Sequence, residues 1–128
     1  MPFDGLSVNQ DMLVIDKMLE IFGPNGEHWI QGFEYRPGRK WCLVGALKSA
    51  RRRLRSRDDD AGAFIVYALW HVDKTVIKRR MSLEDWNDQR GRTFDEIKGM
   101  LSLARTVAGW QRGRFIVGAQ PAFFSLLH

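Results

Sequence analysis

Residues 61–81, AGAFIVYALWHVDKTVIKRRM, carry apolar side chains around most of a helical circumference, and this constrains the fold more than any other stretch. Ile65, Leu69, Val72 and Val76 recur at spacings of four, three and four, which makes one stripe on a helix; Val66, Trp70 and Ile77 widen it. A helix this apolar needs cover on several sides. The pattern therefore predicts one helix over 61–81 at the centre of a bundle.

Helices to cover it are legible on both sides. Leu13, Ile15, Met18, Leu19 and Phe22 share a face of a helix over 9–22, stopped by GPNG at 23–26. Leu43, Leu47, Ala50 and Leu54 form the stripe of a second helix over 40–57. Ser82 caps a short helix that Gly91 ends, and Thr93 with Glu96 makes a capping box for the last long one. That helix is amphipathic through Ile97, Met100, Leu101, Ala104, Val107 and Ala108. Gly32, Pro37 and Gly38 break the segment between the first two helices, leaving a short extended piece at 33–35. The fold class is mainly α: a compact four- to five-helix bundle, with room for a two-stranded β patch built from 29–35 and 115–117. One domain is expected over 1–128, with its core in 10–108 and a C-terminal tail in 109–128.

A single cysteine permits no internal disulfide, and His28, His71 and His128 show no metal-ligand spacing with it, so neither metal nor cofactor is expected. No stretch has the length of a membrane span, and MPFDGLSVNQ lacks the features of a signal peptide, which together predict a cytoplasmic protein.

Three sets of residues invite a functional reading. The net charge of +5 rests on 14 Arg against 6 Lys, and Lys48, Arg51, Arg52, Arg53, Arg55 and Arg57 concentrate six positive charges in ten residues. On a helix these could follow a phosphate backbone. They also suit a helix C-terminus facing the DDD of 58–60, a junction neutralised in place. A second cluster, Lys78, Arg79 and Arg80, falls at the far end if helices two and three form an antiparallel hairpin. Cys42, in the first turn of helix two beside Arg39 and Lys40, has the setting of a lowered thiol pKa. With His71 as base and Asn87 or Asp88 as orienter it would make a cysteine hydrolase; its neighbours Trp41, Leu43 and Val44 would equally bury a small thiol. Last, Phe123, Phe124, Leu126 and Leu127 either fold back on the core or form a partner surface, homodimerisation included.

WNDQRGRT at 86–93 reads as a helix-to-helix corner, with Trp86 as anchor, Gly91 as left-handed cap and Asp88 paired to Arg92. Asn87 is the residue it leaves without a job. Adjacent on a helix, Asn87 and Asp88 would point about 100° apart and not converge. WCLVGAL at 41–47 followed by WNDQRGRT resembles a family of small bacterial and phage proteins known only as a domain of unknown function. HWIQG at 28–32 matches the family's tryptophan-containing loop, and the resemblance runs over about 10–108. It implies a small helical domain and supplies no activity or cofactor. The resulting expectation is a non-enzymatic binding module, a regulator or inhibitor with a macromolecular partner, protein before nucleic acid. Direct nucleic-acid binding and a hydrolase centred on Cys42 stand as alternatives.

Overall fold

The computed structural model describes residues 9–32, 35–36 and 40–111. Among them six helices form in chain order: α1 (Gln10–Phe22), α2 (Leu43–Leu54), α3 (Ala61–Val72), α4 (Thr75–Lys78), α5 (Leu83–Asn87) and α6 (Phe94–Gln111). Two short strands, β1 (Tyr35–Arg36) and β2 (Lys40–Trp41), pair antiparallel with Tyr35 opposite Trp41 and Arg36 opposite Lys40. The chain is mainly α, as its periodicities require. The β patch joins 35–36 to 40–41; the expected partner at 115–117 lies outside the described residues.

Helix α1, not the more apolar α3, has the central place. It packs against α2, α6 and α3, and buries Val14, Ile15, Met18, Ile21 and Phe22. Asn9 caps it, its side chain accepting from the Met12 N–H at 2.9 Å. Leu13, placed on the inner face by spacing, is 41% exposed. Helix α6 packs on α1 and α3 and buries Ile97, Met100, Leu101, Ala104 and Ala108, and Arg105 adds a two-point ion pair to Asp16 of α1 at 2.6 and 3.1 Å. Gly109 does not stop α6. It lies against Met12, where a Cβ would come within 3.1 Å of the sulfur, and the helix continues to Gln111.

The helix expected over 61–81 is broken at Asp73. The Asp73 carboxylate accepts from the Thr75 N–H at 3.0 Å and the Thr75 hydroxyl at 2.6 Å, and the backbone at Asp73 is extended. This local turn competes with the helical hydrogen bonds and wins. Helix α3 packs chiefly on α6, and Val72, assigned to its inner stripe, is 50% exposed. Helix α2 packs on α1 and α5, so α2 and α3 do not form the hairpin considered above. Its expected first turn is strand instead, because the Trp41 N–H donates to His28 O at 2.8 Å and the Ile30 N–H to Trp41 O at 3.0 Å.

Helices α2 and α4 end in the same way. Ser56 N donates to Arg51 O and Arg55 N to Arg52 O; Met81 N donates to Val76 O and Arg80 N to Ile77 O. Each pair closes a Schellman motif around a left-handed residue. Both left-handed positions hold arginine, Arg55 at φ 54° and Arg80 at φ 53°, where glycine is the usual choice. At Gly26, φ 74°, the ring of Phe94 sits directly on the Cα, so no side chain fits. That contact fixes the start of α6 against the end of α1, with Phe22 and Trp29 flanking the same ring.

Candidate functional site

The corner after α4 is a network centred on Asn87. Ser82 and Asp85 form a capping box that starts α5 and delivers Trp86 and Asn87 to the interior. The Asn87 side chain, fully buried, makes four hydrogen bonds. Its Oδ1 accepts from the Trp29 indole N–H at 2.8 Å and the Leu43 N–H at 3.2 Å; its Nδ2 donates to Ile30 O at 3.2 Å and Asp88 Oδ1 at 2.9 Å. Asp88 also accepts from the Gly32 N–H, and the Gln31 amide donates to both Asn87 O and Gln89 O. One buried amide thus ties the 29–32 loop, the first turn of α2 and the end of α5 together.

Three expectations about this corner are corrected. Asp88 does not pair with Arg92, being occupied by the loop. Arg92 instead lies 3.8 Å over the Trp86 ring, donates to Trp86 O at 3.0 Å and Glu96 at 3.1 Å, and also reaches the Gln89 side chain. Asn87 and Asp88 do converge, because Asp88 has already left the helix and both side chains meet the same loop. Gly91 has the left-handed φ of 85° but sits in the link, four residues after α5 has ended. Thr93 and Glu96 do exchange capping bonds, at 2.9 and 3.3 Å.

Cys42, expected inside the first turn of helix two, instead occupies the N-cap of α2, one residue before that helix begins, and is buried. Burial pushes its thiol up; the N–H groups of Val44 and Gly45 oppose this, while Asp88 and Glu84 add to it. The setting is thus the reverse of an activated nucleophile. Asn87 reaches Leu43, next to Cys42, but spends its amide on the four partners above. His71 is exposed on α3, edge-on to the Tyr67 ring at 4.6 Å. No hydrogen bond among the described residues joins Cys42, His71 and Asn87 into a relay.

The basic run divides. Arg51 holds Asp59 with three hydrogen bonds of 2.9–3.1 Å, and Asp59, its side chain out of solvent, also accepts from the Ser56 hydroxyl and the Ala61 N–H. Arg53 lies 5.7 Å from the Trp41 ring centre. Arg52, Arg55 and Arg57 are exposed, as is Lys48. Part of the charge therefore serves the α2–α3 junction, where the Asp60 N–H is also held by buried Asp11 at 2.6 Å. Phe123, Phe124, Leu126 and Leu127 lie outside the described residues. Among the described residues no group of three or more His, Cys, Asp or Glu could hold a metal ion, and no helix is long and apolar enough to cross a membrane.

The junction makes a prediction about acid. Burial alone would raise the Asp59 carboxyl, but Arg51, Ser56 and the Ala61 N–H hold it below the ordinary aspartate value. The Thr75 hydroxyl, with the Thr75 N–H, Trp86 and Arg92, does the same for Asp73; the Thr93 N–H, with Arg92 and the Thr93 hydroxyl, does so for Glu96. Carboxyls lowered in the folded state stabilise it fully above their unfolded pKa and cease to do so as pH falls through the folded values. Urea midpoints are expected to be flat from about pH 5 to 7 and to fall below about pH 4. Asp59→Asn should cost about 1–3 kcal/mol at pH 7, by its broken bonds, and flatten that acid limb.

A groove of about 560 Å³ opens on the flank of α3 that the core leaves uncovered. Val66, Trp70, Val76, Ile77, Met81 and Leu83 line it, with Arg80 at its edge. Sequence reasoning assigned Val66, Trp70 and Ile77 to the central core. The signal that could have found the groove is the Asp73–Thr75 turn, which swings α4 out of line with α3.

These features define a small, mainly helical module with, among the described residues, a locked corner and an apolar groove. The chain belongs to a family of unknown function, DUF6197, whose model matches residues 25–107. The match begins after α1, whereas the resemblance read from the motifs included that helix. No curated protein and no solved structure matches the chain.

Proposed function

We propose that this chain is a non-enzymatic binding module, a regulator or inhibitor, that takes a helical segment of a protein partner in the groove between α3, α4 and α5. One observation carries the reading: the mainly apolar lining of the groove includes Ile77, a large aliphatic side chain left 54% exposed. Helix-in-groove recognition uses such a surface, with anchors at helical spacing entering side by side. The hydrolase reading lacks an activated thiol and a base beside it. The nucleic-acid reading keeps Arg52, Arg55 and Arg57, but Arg51 and Arg53 have intramolecular duties.

The test uses a synthetic amphipathic peptide about three turns long with leucines on one face and an uncharged polar face. Its titration into the full chain should shift the methyl resonances of Val66, Ile77, Met81 and Leu83. Ile77→Asp, a change at an exposed position, should abolish those shifts with thermal unfolding unchanged. Absence of shifts, or shifts confined to other faces, would overturn the reading.

A further inference from the structure

We infer that the helix received by this groove carries acidic residues along its flank. The inference rests on the groove being a helix-binding site and adds the chemistry of what binds there. Lys74 caps the start of α4, Lys78 is its last residue and Arg79 and Arg80 follow it, all four exposed. None of the four side chains has an ion-pair or hydrogen-bond partner among the described residues, and Arg80 lines the groove itself. The carboxylates nearby are committed: Asp73 to Thr75 and Trp86, Asp85 to the Ser82 cap, Asp88 to Gly32 and Asn87. Glu84 is the one acid between 73 and 88 left without such a bond. An apolar floor with exposed Arg80 in its lining, and three more exposed cations close to it in the chain, favours an apolar helix with a negative flank, because complementary charge raises both encounter rate and selectivity.

Charge also separates this occupant from two others. Residues 112–128 of the chain hold Arg112 and Arg114 and no Asp or Glu, so that segment brings further positive charge to a positive rim. A second copy of the chain, at net +5, does the same. Arg80 offers a substitution suited to the test. At φ 53° its backbone is in the region glycine prefers, so Arg80→Gly removes the cation while relieving the backbone.

Three peptides with one apolar face and acidic, neutral or basic flanks are titrated into the full chain by fluorescence anisotropy at low and physiological salt. The acidic peptide should bind about tenfold tighter than the neutral one, the basic one more weakly, and the gap should narrow as salt rises. Arg80→Gly should shrink the acidic preference and leave folding intact. Lys78→Glu with Arg79→Glu should turn the preference toward the basic peptide. Equal binding of acidic and neutral peptides overturns this inference and leaves the helix-binding reading standing; no binding by any peptide removes both. Binding that appears only when Phe123→Asp and Phe124→Asp are introduced assigns the groove to the chain's own segment and overturns it. Self-association abolished by Ile77→Asp assigns the groove to a second copy, with the same consequence.

Discussion

Replacing Asn87 with alanine is expected to lower folding stability by about 3–5 kcal/mol, because its four side-chain hydrogen bonds are lost at once. The Leu43 N–H is buried at the start of α2, and the Trp29 indole N–H and Ile30 carbonyl are half-buried. Each orphaned group costs about 1–3 kcal/mol, with water able to relieve those nearest the surface, so the sum stays below full additivity. Asn87→Asp separates donor from acceptor. It keeps Oδ1 for Trp29 and Leu43 but turns the Nδ2 position into a second carboxylate oxygen against Ile30 O and Asp88 Oδ1. Its cost should grow as pH rises through the new carboxyl's titration, a dependence that Asn87→Ala lacks. Urea unfolding at pH 5 and pH 8 reads both. A loss under about 1 kcal/mol for Asn87→Ala would mean that the network is not what holds the corner.

What the sequence revealed and what it hid divide by the range of the interaction. The Asn9, Ser82 and Thr93 caps each act within about three residues, and the spacing of polar groups announces them. The stripes of α2 and α6 were legible because periodicity records how much of a helix is apolar. It does not record which surface covers it. Hence α3 was placed at the centre when α1 holds that place, and its surplus apolar flank belongs to a groove. Three of the four partners of Asn87 lie 44 to 58 residues away, so no local pattern could report its role. Asp73 is the instructive failure: Asp-Lys-Thr is a local turn signal, present and readable, that apolar periodicity overrode. Cys42 shows the same limit in electrostatics. Cations adjacent in sequence suggested a lowered thiol, while burial, a property of the assembled core, raised it.

Trp86→Ala should cost about 3–5 kcal/mol, the range for removing a large aromatic side chain from a closed core. The ring is 2% exposed, its indole N–H donates to Asp73 at 3.2 Å, and Arg92 stacks on its face. These three roles are separable. Trp86→Phe keeps an aromatic face for Arg92 and loses the Asp73 bond and some volume, so about 1–2 kcal/mol is expected. In a double-mutant cycle, Trp86→Ala and Arg92→Met should couple by about 1–2 kcal/mol, since the guanidinium is largely withdrawn from water, 10% exposed, where cation–π attraction is strongest. Arg92 also holds Glu96 and the Trp86 carbonyl, so its single substitution is costly for reasons that cancel in the cycle. The Asp73 bond links this ring to the turn that separates α3 from α4. Trp86→Phe should therefore weaken peptide binding in the groove as well as stability, while Arg92→Met, which gives up only a 4.0 Å ion pair to the same carboxylate, should lower stability with less effect on binding. Equal effects of the two on binding would show that the turn is held by Thr75 without help from the indole.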